Sequence, residues 1–191
     1  NSTRGLFSGG SDATTNTRRN IIEYVTIAST GNTTDFGDLT VARRQGQGCG
    51  SSTRSLCFAG GSLDSGSSNV IDYVTIGSTG NATDFGDLSS ARRQVGSCSN
   101  TTRAIFAGGL STNTIEFVAI DTTGNATDFG DLRLGVEASC CASSITAVIG
   151  FNSSNEIQKV SIATTGDATD FGDATTGNIG AGISDGHGGL S

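Results

Sequence analysis

The sequence contains no proline, no tryptophan and no methionine, a single lysine (Lys159) and a single histidine (His187). Aromatic residues make up 6% of the chain and hydrophobic residues 34%, so little bulk is available for a core. Charge is also scarce at 15%, which removes the high-charge signature of a disordered chain. Positive charge is the scarcer sign: ten arginines and Lys159 face 18 acids, for a net charge of −7. A basic face for nucleic acid is therefore excluded. One histidine cannot supply the ligands of a copper or zinc oxidase, and His187, in a glycine-rich tail, reads as a solvated loop residue. No apolar run approaches the length of a membrane span, and no secretory hydrophobic region is present. The five cysteines (Cys49, Cys57, Cys98, Cys140 and Cys141) are odd in number and lack compact spacing, which argues against a disulfide framework. The missing initiator methionine points to a processed chain or a piece of a longer one. No cofactor and no metal are expected.

What is abundant is glycine, 29 residues, and one phrase said four times. It reads TGNTTDFGDL at Thr30–Leu39, TGNATDFGDL at Thr79–Leu88 and at Thr123–Leu132, and TGDATDFGDA at Thr165–Ala174. Its glycines stand at 31, 80, 124 and 166, giving intervals of 49, 44 and 42 residues. A period of this size marks a propeller, a solenoid or an array.

Each phrase follows a run rich in β-branched and aromatic residues, the composition strands prefer: Asn20–Ile27, Asn69–Ile76, Asn113–Ile120 and Asn155–Ile162. In the second copy Ile71, Tyr73 and Thr75 share one face, and Val70, Asp72, Val74 and Ile76 the other. Both faces are largely apolar, so the strand is expected in a sheet sandwiched between two others. Upstream lies a second strand ending in glycines, at Arg4–Gly10, Arg54–Gly61 and Arg103–Gly109, decaying to Ile145–Phe151. The paired glycines permit a turn that a side chain would obstruct. Copy two has one extra residue there, the mark of a bulge. Further upstream are short polar strands centred on Cys49, Cys98 and Cys140.

The unit is thus four antiparallel strands, which is a propeller blade. The fold expected is all-β: a single four-bladed propeller over 1–191. Blade one covers about 1–39 plus 178–184, blade two 46–88, blade three 95–132 and blade four 136–174. The chain begins inside a unit, and the C-terminal strand would supply blade one's missing inner strand. That closes the ring and removes an open sheet edge.

The glycine pair, the aromatic of the next strand, and the following aromatic with arginine resemble the kelch blade; the matching residues are Gly60, Gly61, Tyr73, Phe85 and Arg92. Phe36, Phe85, Phe129 and Phe171 stand where kelch repeats usually carry tryptophan. The wording GNATDFGDL followed by ARR, at Arg43–Arg44 and Arg92–Arg93, is similar to repeats of tail-associated and structural proteins of marine and cyanobacterial phages. This resemblance covers nearly the whole chain. It implies a virion or extracellular setting and a non-enzymatic structural or receptor-binding role, in a tail or fibre. The partners it implies are other virion proteins or a host surface glycan, with a homo-oligomer as a further expectation. The alternative is an extracellular carbohydrate-binding lectin or adhesin.

Catalytic readings fail on inspection. The DFG triplets lack the phosphate loop and strand lysine of a kinase. The Asp pairs 35/38, 84/87, 128/131 and 170/173 could offer calcium its oxygens. The favoured reading is structural: the first Asp bonds turn amides and the second pairs with a nearby Arg. The turn is also similar to the Asp box of sialidase propellers, itself structural. Tyr24 and Tyr73 occupy equivalent repeat positions, so they read as packing rather than as nucleophiles. The Cys49, Cys98 and Cys140 strands are expected innermost, with packing favoured over soft-metal binding.

The connections between the glycine strand and the aromatic strand vary: Ser11–Arg19, Ser62–Ser68, Leu110–Thr112 and Asn152–Ser154. Variable insertions on one face of a repeat array mark a binding face. Asp12, Arg18, Arg19 and Asp64 are therefore the candidate ligand-binding residues, with the Arg forks suited to carboxylates or phosphates.

Overall fold

The computed structural model describes residues 1–110, 112–135, 137–177 and 179–180. Seventeen strands and no helix are found among them, so the protein is all-β. Sheet one is β1 (Arg4–Ser8), β2 (Ile21–Thr26) and β3 (Thr34–Asp38). Sheet two is β4 (Gln47–Gly50), β5 (Arg54–Ala59), β8 (Val70–Thr75) and β9 (Thr83–Asp87), with a separate two-stranded hairpin of β6 (Ser62–Leu63) and β7 (Gly66–Ser67) between β5 and β8. Sheet three runs β10 (Gly96–Ser99), β11 (Arg103–Ala107), β12 (Thr114–Ala119) and β13 (Thr127–Asp131). Sheet four runs β14 (Ala138–Ala142), β15 (Thr146–Phe151), β16 (Ser154–Ser161) and β17 (Thr169–Asp173). Sheets two to four have the four antiparallel strands the repeat predicts, in sequence order; sheet one has three.

Sheet two is covered on both faces, as its sequence requires. Val74 joins a buried cluster with Ile22, Phe36 and Leu39 of sheet one. Ile71 and Leu56 join another with Ala104, Phe106, Val118 and Ile120 of sheet three. A third cluster lies between sheets three and four. The extra residue of copy two is a bulge: Gln47 faces Ala59 while Cys49 faces Leu56, so β5 is one residue longer than β4 over that span. The first glycine of each pair, Gly9, Gly60 and Gly108, has φ of +70°, +73° and +63°. That left-handed turn would strain a side chain.

The repeated phrase has a structural task that unites its two halves. In each sheet the register slips at the phenylalanine: Ile71 faces Gly86 while Asp72 faces Asp84, leaving Phe85 as the bulged residue. The same slip occurs at Phe36, Phe129 and Phe171. A bulge re-aims its side chain, and three of the four phenylalanines are turned into the space before the next sheet. The glycine after each of them has φ of +142° to +148°. Its bare Cα admits the Thr-Gly-Asn turn of the following repeat: a Cβ on Gly37 would collide with the Gly80 carbonyl, one on Gly86 with that of Gly124, and one on Gly130 with that of Gly166.

Three hydrogen bonds then fasten each junction. Between sheets one and two, Gly80 N donates to Phe36 O (2.7 Å), Ala82 N to Asp38 O (2.7 Å), and Asp38 N to Asn81 Oδ1 (3.0 Å). Between sheets two and three the bonds are 2.7, 2.8 and 3.0 Å, with Asn125 in place of Asn81. Between sheets three and four they are 2.7, 2.8 and 3.0 Å, with Asp167 in that place.

The equivalent fourth junction, sheet four onto sheet one, is not made among the described residues. Phe171 is 56% exposed where Phe36, Phe85 and Phe129 are each 2% exposed. A Cβ built on Gly172 meets nothing within 4 Å, where those on Gly37, Gly86 and Gly130 meet the turn of the next repeat. The expected pairing of 178–184 with Arg4–Gly9 lies outside the described residues except at 179 and 180. There, Ile179 N donates to Phe151 O (2.9 Å), and Gly180 O accepts from Ser139 Oγ (3.0 Å).

Candidate functional site

Antiparallel strand order sends the variable connections and the Thr-Gly-Asn turns to opposite ends of each sheet. The variable end gathers all four residues expected to bind a ligand. The 11–19 connection is ordered by its own polar groups. Thr14 N and Thr15 N both donate to Asp12 Oδ1 at 2.9 Å, Asn16 N to Asp12 O at 2.9 Å, and Asn16 takes φ +57°, which asparagine tolerates. Arg19 closes on Asp12 as an ion pair, and Arg18 reaches the neighbouring hairpin to meet Asp64 Oδ1 at 3.4 Å. Arg44 Nη1 donates to Asn16 Oδ1 (2.9 Å), tying the connection to the segment between sheets one and two.

The four residues thus form one patch, but each guanidinium is already matched to a carboxylate. The Asp12 carboxyl is held well below the usual carboxylate range, first by the Thr15 amide, then by Arg19 and the Thr14 amide. Arg19 keeps 47% of its side chain exposed and Arg18 only 12%, so Arg19 is the accessible cation.

The other concavity lies among the inner strands. A cavity of about 530 Å³ is lined by β1, β4, β10 and β14, at the edge of β1 where no fourth strand pairs among the described residues. Cys49, Cys98, Cys140 and Cys141 border it, so the cysteine strands face the same cavity. The Cys98 thiol is pushed well up by its hydrogen bond with Cys140 and then by burial, and burial raises Cys141. Protonated thiols are poor nucleophiles and poor ligands. Among the described residues no group of three or more His, Cys, Asp or Glu side chains is placed to hold a metal.

The aspartates of the phrase do not act as the sequence suggests. Asp84 is exposed, and its carboxylate has no hydrogen bond to its own turn among the described residues. Only in the fourth copy does such a bond occur, from Gly172 N to Asp170 Oδ1 (3.2 Å). Nor, among the described residues, do Asp38, Asp87 or Asp131 pair with arginine. Asp131 is exposed and Asp38 and Asp87 are half-buried, and the junction turn is held by the side chain of the next repeat instead.

The acids that hold arginine sit in the third strand of the next sheet. Arg43 pairs with Asp72 and Arg92 with Glu116, all four side chains at most 2% exposed. Asp72 also accepts from Thr40 Oγ1 (2.5 Å). In sheet four Gln158 takes the acid's place and accepts from Arg133 N (3.0 Å). The signal was visible as an acid inside an otherwise apolar strand, at Asp72 and Glu116, with an ARR segment in the preceding linker.

A second arginine set works across the same junctions. Arg4, Arg54 and Arg103 lie over Tyr24, Tyr73 and Phe117 at 4.7, 4.5 and 4.7 Å from the ring centroids. Each also donates to the next sheet, at Ile76 O (2.8 Å), Ile120 O (2.6 Å) and Ile162 O (3.0 Å). The tyrosines meet Phe36 and Phe85 edge-on, with centroids 6.0 and 5.8 Å apart. Both tyrosines are packing residues.

No protein-family model and no curated protein matched the chain.

Proposed function

We propose that the protein is a non-enzymatic structural or receptor-binding module of a phage virion, in a tail or fibre. In this reading its four sheets are the blades of a kelch-like β-propeller. The C-terminal strand, 178–184, has the task of supplying the inner strand that blade one lacks.

One observation carries the proposal: much of the polar chemistry of the chain joins one sheet to the next. Arg43, Arg54, Arg92 and Arg103, the junction asparagines and the third-strand acids all serve junctions. A protein so arranged is a rigid scaffold, and recognition then falls to its loops. The Asp12, Arg18, Arg19 and Asp64 patch stands on the longest of them. Its matched ion pairs suit a polar partner whose own charges exchange with Asp12 for Arg19. A neighbouring virion protein or an acidic host glycan has that chemistry.

The experiment replaces Ser11–Arg19 by a short Gly/Ser turn. The expected result is a folded protein with weakened particle assembly or host attachment. Unchanged assembly and attachment would move the recognition surface elsewhere. The lectin reading needs exposed aromatic platforms, whereas Tyr24, Tyr73, Phe36, Phe85 and Phe129 pack at junctions.

A further inference from the structure

Sheet four and sheet one each carry half of an unmade junction. At sheet four, the tail half is Phe171, Gly172 and Asp173. At sheet one, the head half is Gly31, Asn32 and Thr33. Inside the chain these same two halves are joined three times over.

We infer that the two ends are a head-to-tail docking surface whose occupant is a second copy of this chain. The Gly31–Thr33 turn of one copy seats on Phe171–Asp173 of another. By the internal pattern, Gly31 N donates to Phe171 O, Thr33 N to Asp173 O, and Asp173 N to Asn32 Oδ1.

The apolar surfaces agree. Phe171 on the tail is 56% exposed, and Phe7 and Ile27 on the head are each 58% exposed. Their counterparts inside the chain are covered: Phe106 and Ile120 are at 0% and Ile76 at 4%. The charges agree as well. Glu23 occupies the head position where Asp72 and Glu116 find arginine, and among the described residues it has no ion pair. Its Oε1 accepts from Thr33 Oγ1 (3.0 Å). Lys159, the only lysine, lies over Phe171 on the tail, 5.6 Å from the ring centroid, in the place of Tyr24 and Tyr73. Tyr24 and Ala82, the counterpart of Thr33, pack against the same buried cluster. Docking therefore brings Lys159 to Thr33 and its neighbour Glu23.

The described structure selects a second copy over the chain's own first sheet: the junction is made three times within the chain, and among the described residues sheet four makes none of its bonds to sheet one. The end junction is also the weaker one. Thr146 stands at the register position of Arg103, so the arginine bond to the next sheet is absent. No arginine follows the fourth phrase to reach Glu23. Association is then reversible, and a head-to-tail contact builds a ring or a filament.

The test is sedimentation of the full chain over a wide concentration range, with Phe171→Asp and Ile27→Asp variants. Both residues are exposed, so both variants fold, as circular dichroism and melting verify. The wild type is expected to gain mass with concentration. Each variant alone loses that gain, and an equimolar mixture of the two recovers a dimer through its one intact head and one intact tail. A wild type that stays monomeric throughout overturns the inference. If the variants then also melt lower, the junction closes within one chain. Assembly that survives both substitutions overturns it too, by placing the contact elsewhere. None of these outcomes depends on the loop experiment, so the two readings fail separately.

Discussion

At the scale of the residue, the phenylalanine of the phrase shows how neighbours set an energy that identity does not. Phe85 is buried between two sheets, so Phe85→Ala should cost about 3–5 kcal/mol. Phe171 has the same bulge and the same flanking residues but no sheet beyond it. Phe171→Ala should stay within about 0.5 kcal/mol of wild type, as surface changes do. Urea unfolding at low protein concentration checks both, and equal costs would contradict this placement. Asp12 offers a second residue-scale test. Its folded pKa is depressed, so its contribution is present above the ordinary carboxylate value of about 3.9 and is lost as pH falls below that value toward the folded one. The amide resonances of Thr14 and Thr15 should hold steady from neutral pH to about 4 and move only below it. A midpoint at the ordinary value would mean that the Asp12 clasp does not form in solution.

At the scale of the element, stability lies in the junction more than in any one sheet. The buried pairs show the asymmetry of charge in a core. Asp72→Ala leaves Arg43 in a dry site without its carboxylate and should cost about 3–5 kcal/mol. Replacing both by apolar residues, Arg43→Met with Asp72→Leu, should cost far less or even stabilise. Chemical denaturation of the single and double variants measures the difference. A double variant as unstable as the single one would show that the pair contributes more than it costs to bury. The exposed aspartates of the phrase are held in place by backbone and asparagine bonds, so a calcium chelator should leave the melting temperature unchanged. A marked drop would instead give those carboxylates a cation to hold.

At the scale of the whole molecule, the repeat leaves open surfaces where a sheet lacks its neighbour. Among the described residues no strand pairs with the outer edge of β1, which borders the cavity of about 530 Å³. Truncation after Thr176 removes the strand proposed for that edge. The expected outcome is a sharply lower melting temperature or insoluble protein, because an open edge pairs with other chains. A truncated chain that melts like the full one would take the C-terminal strand out of the architecture.

The sequence by itself determined the all-β class, the strand order of sheets two to four, the bulge in β5 and the burial of Phe85. These follow from local regularities, because alternation, β-branched runs and a repeat period act over neighbouring residues. It also picked out one loop patch, since Asp12, Arg18, Arg19 and Asp64 were chosen by loop length. Only the tertiary structure decided that their charges are matched in pairs. Only it decided that Asp72 and Glu116, rather than the aspartates of the phrase, hold the linker arginines, and that Asn81, Asn125 and Asp167 fasten their turns to the sheet before. The junction between ends was the least legible of all. It depends on the angle each sheet makes with the next, and that angle is set by side chains packing between repeats about forty residues apart, which no pattern within one repeat encodes.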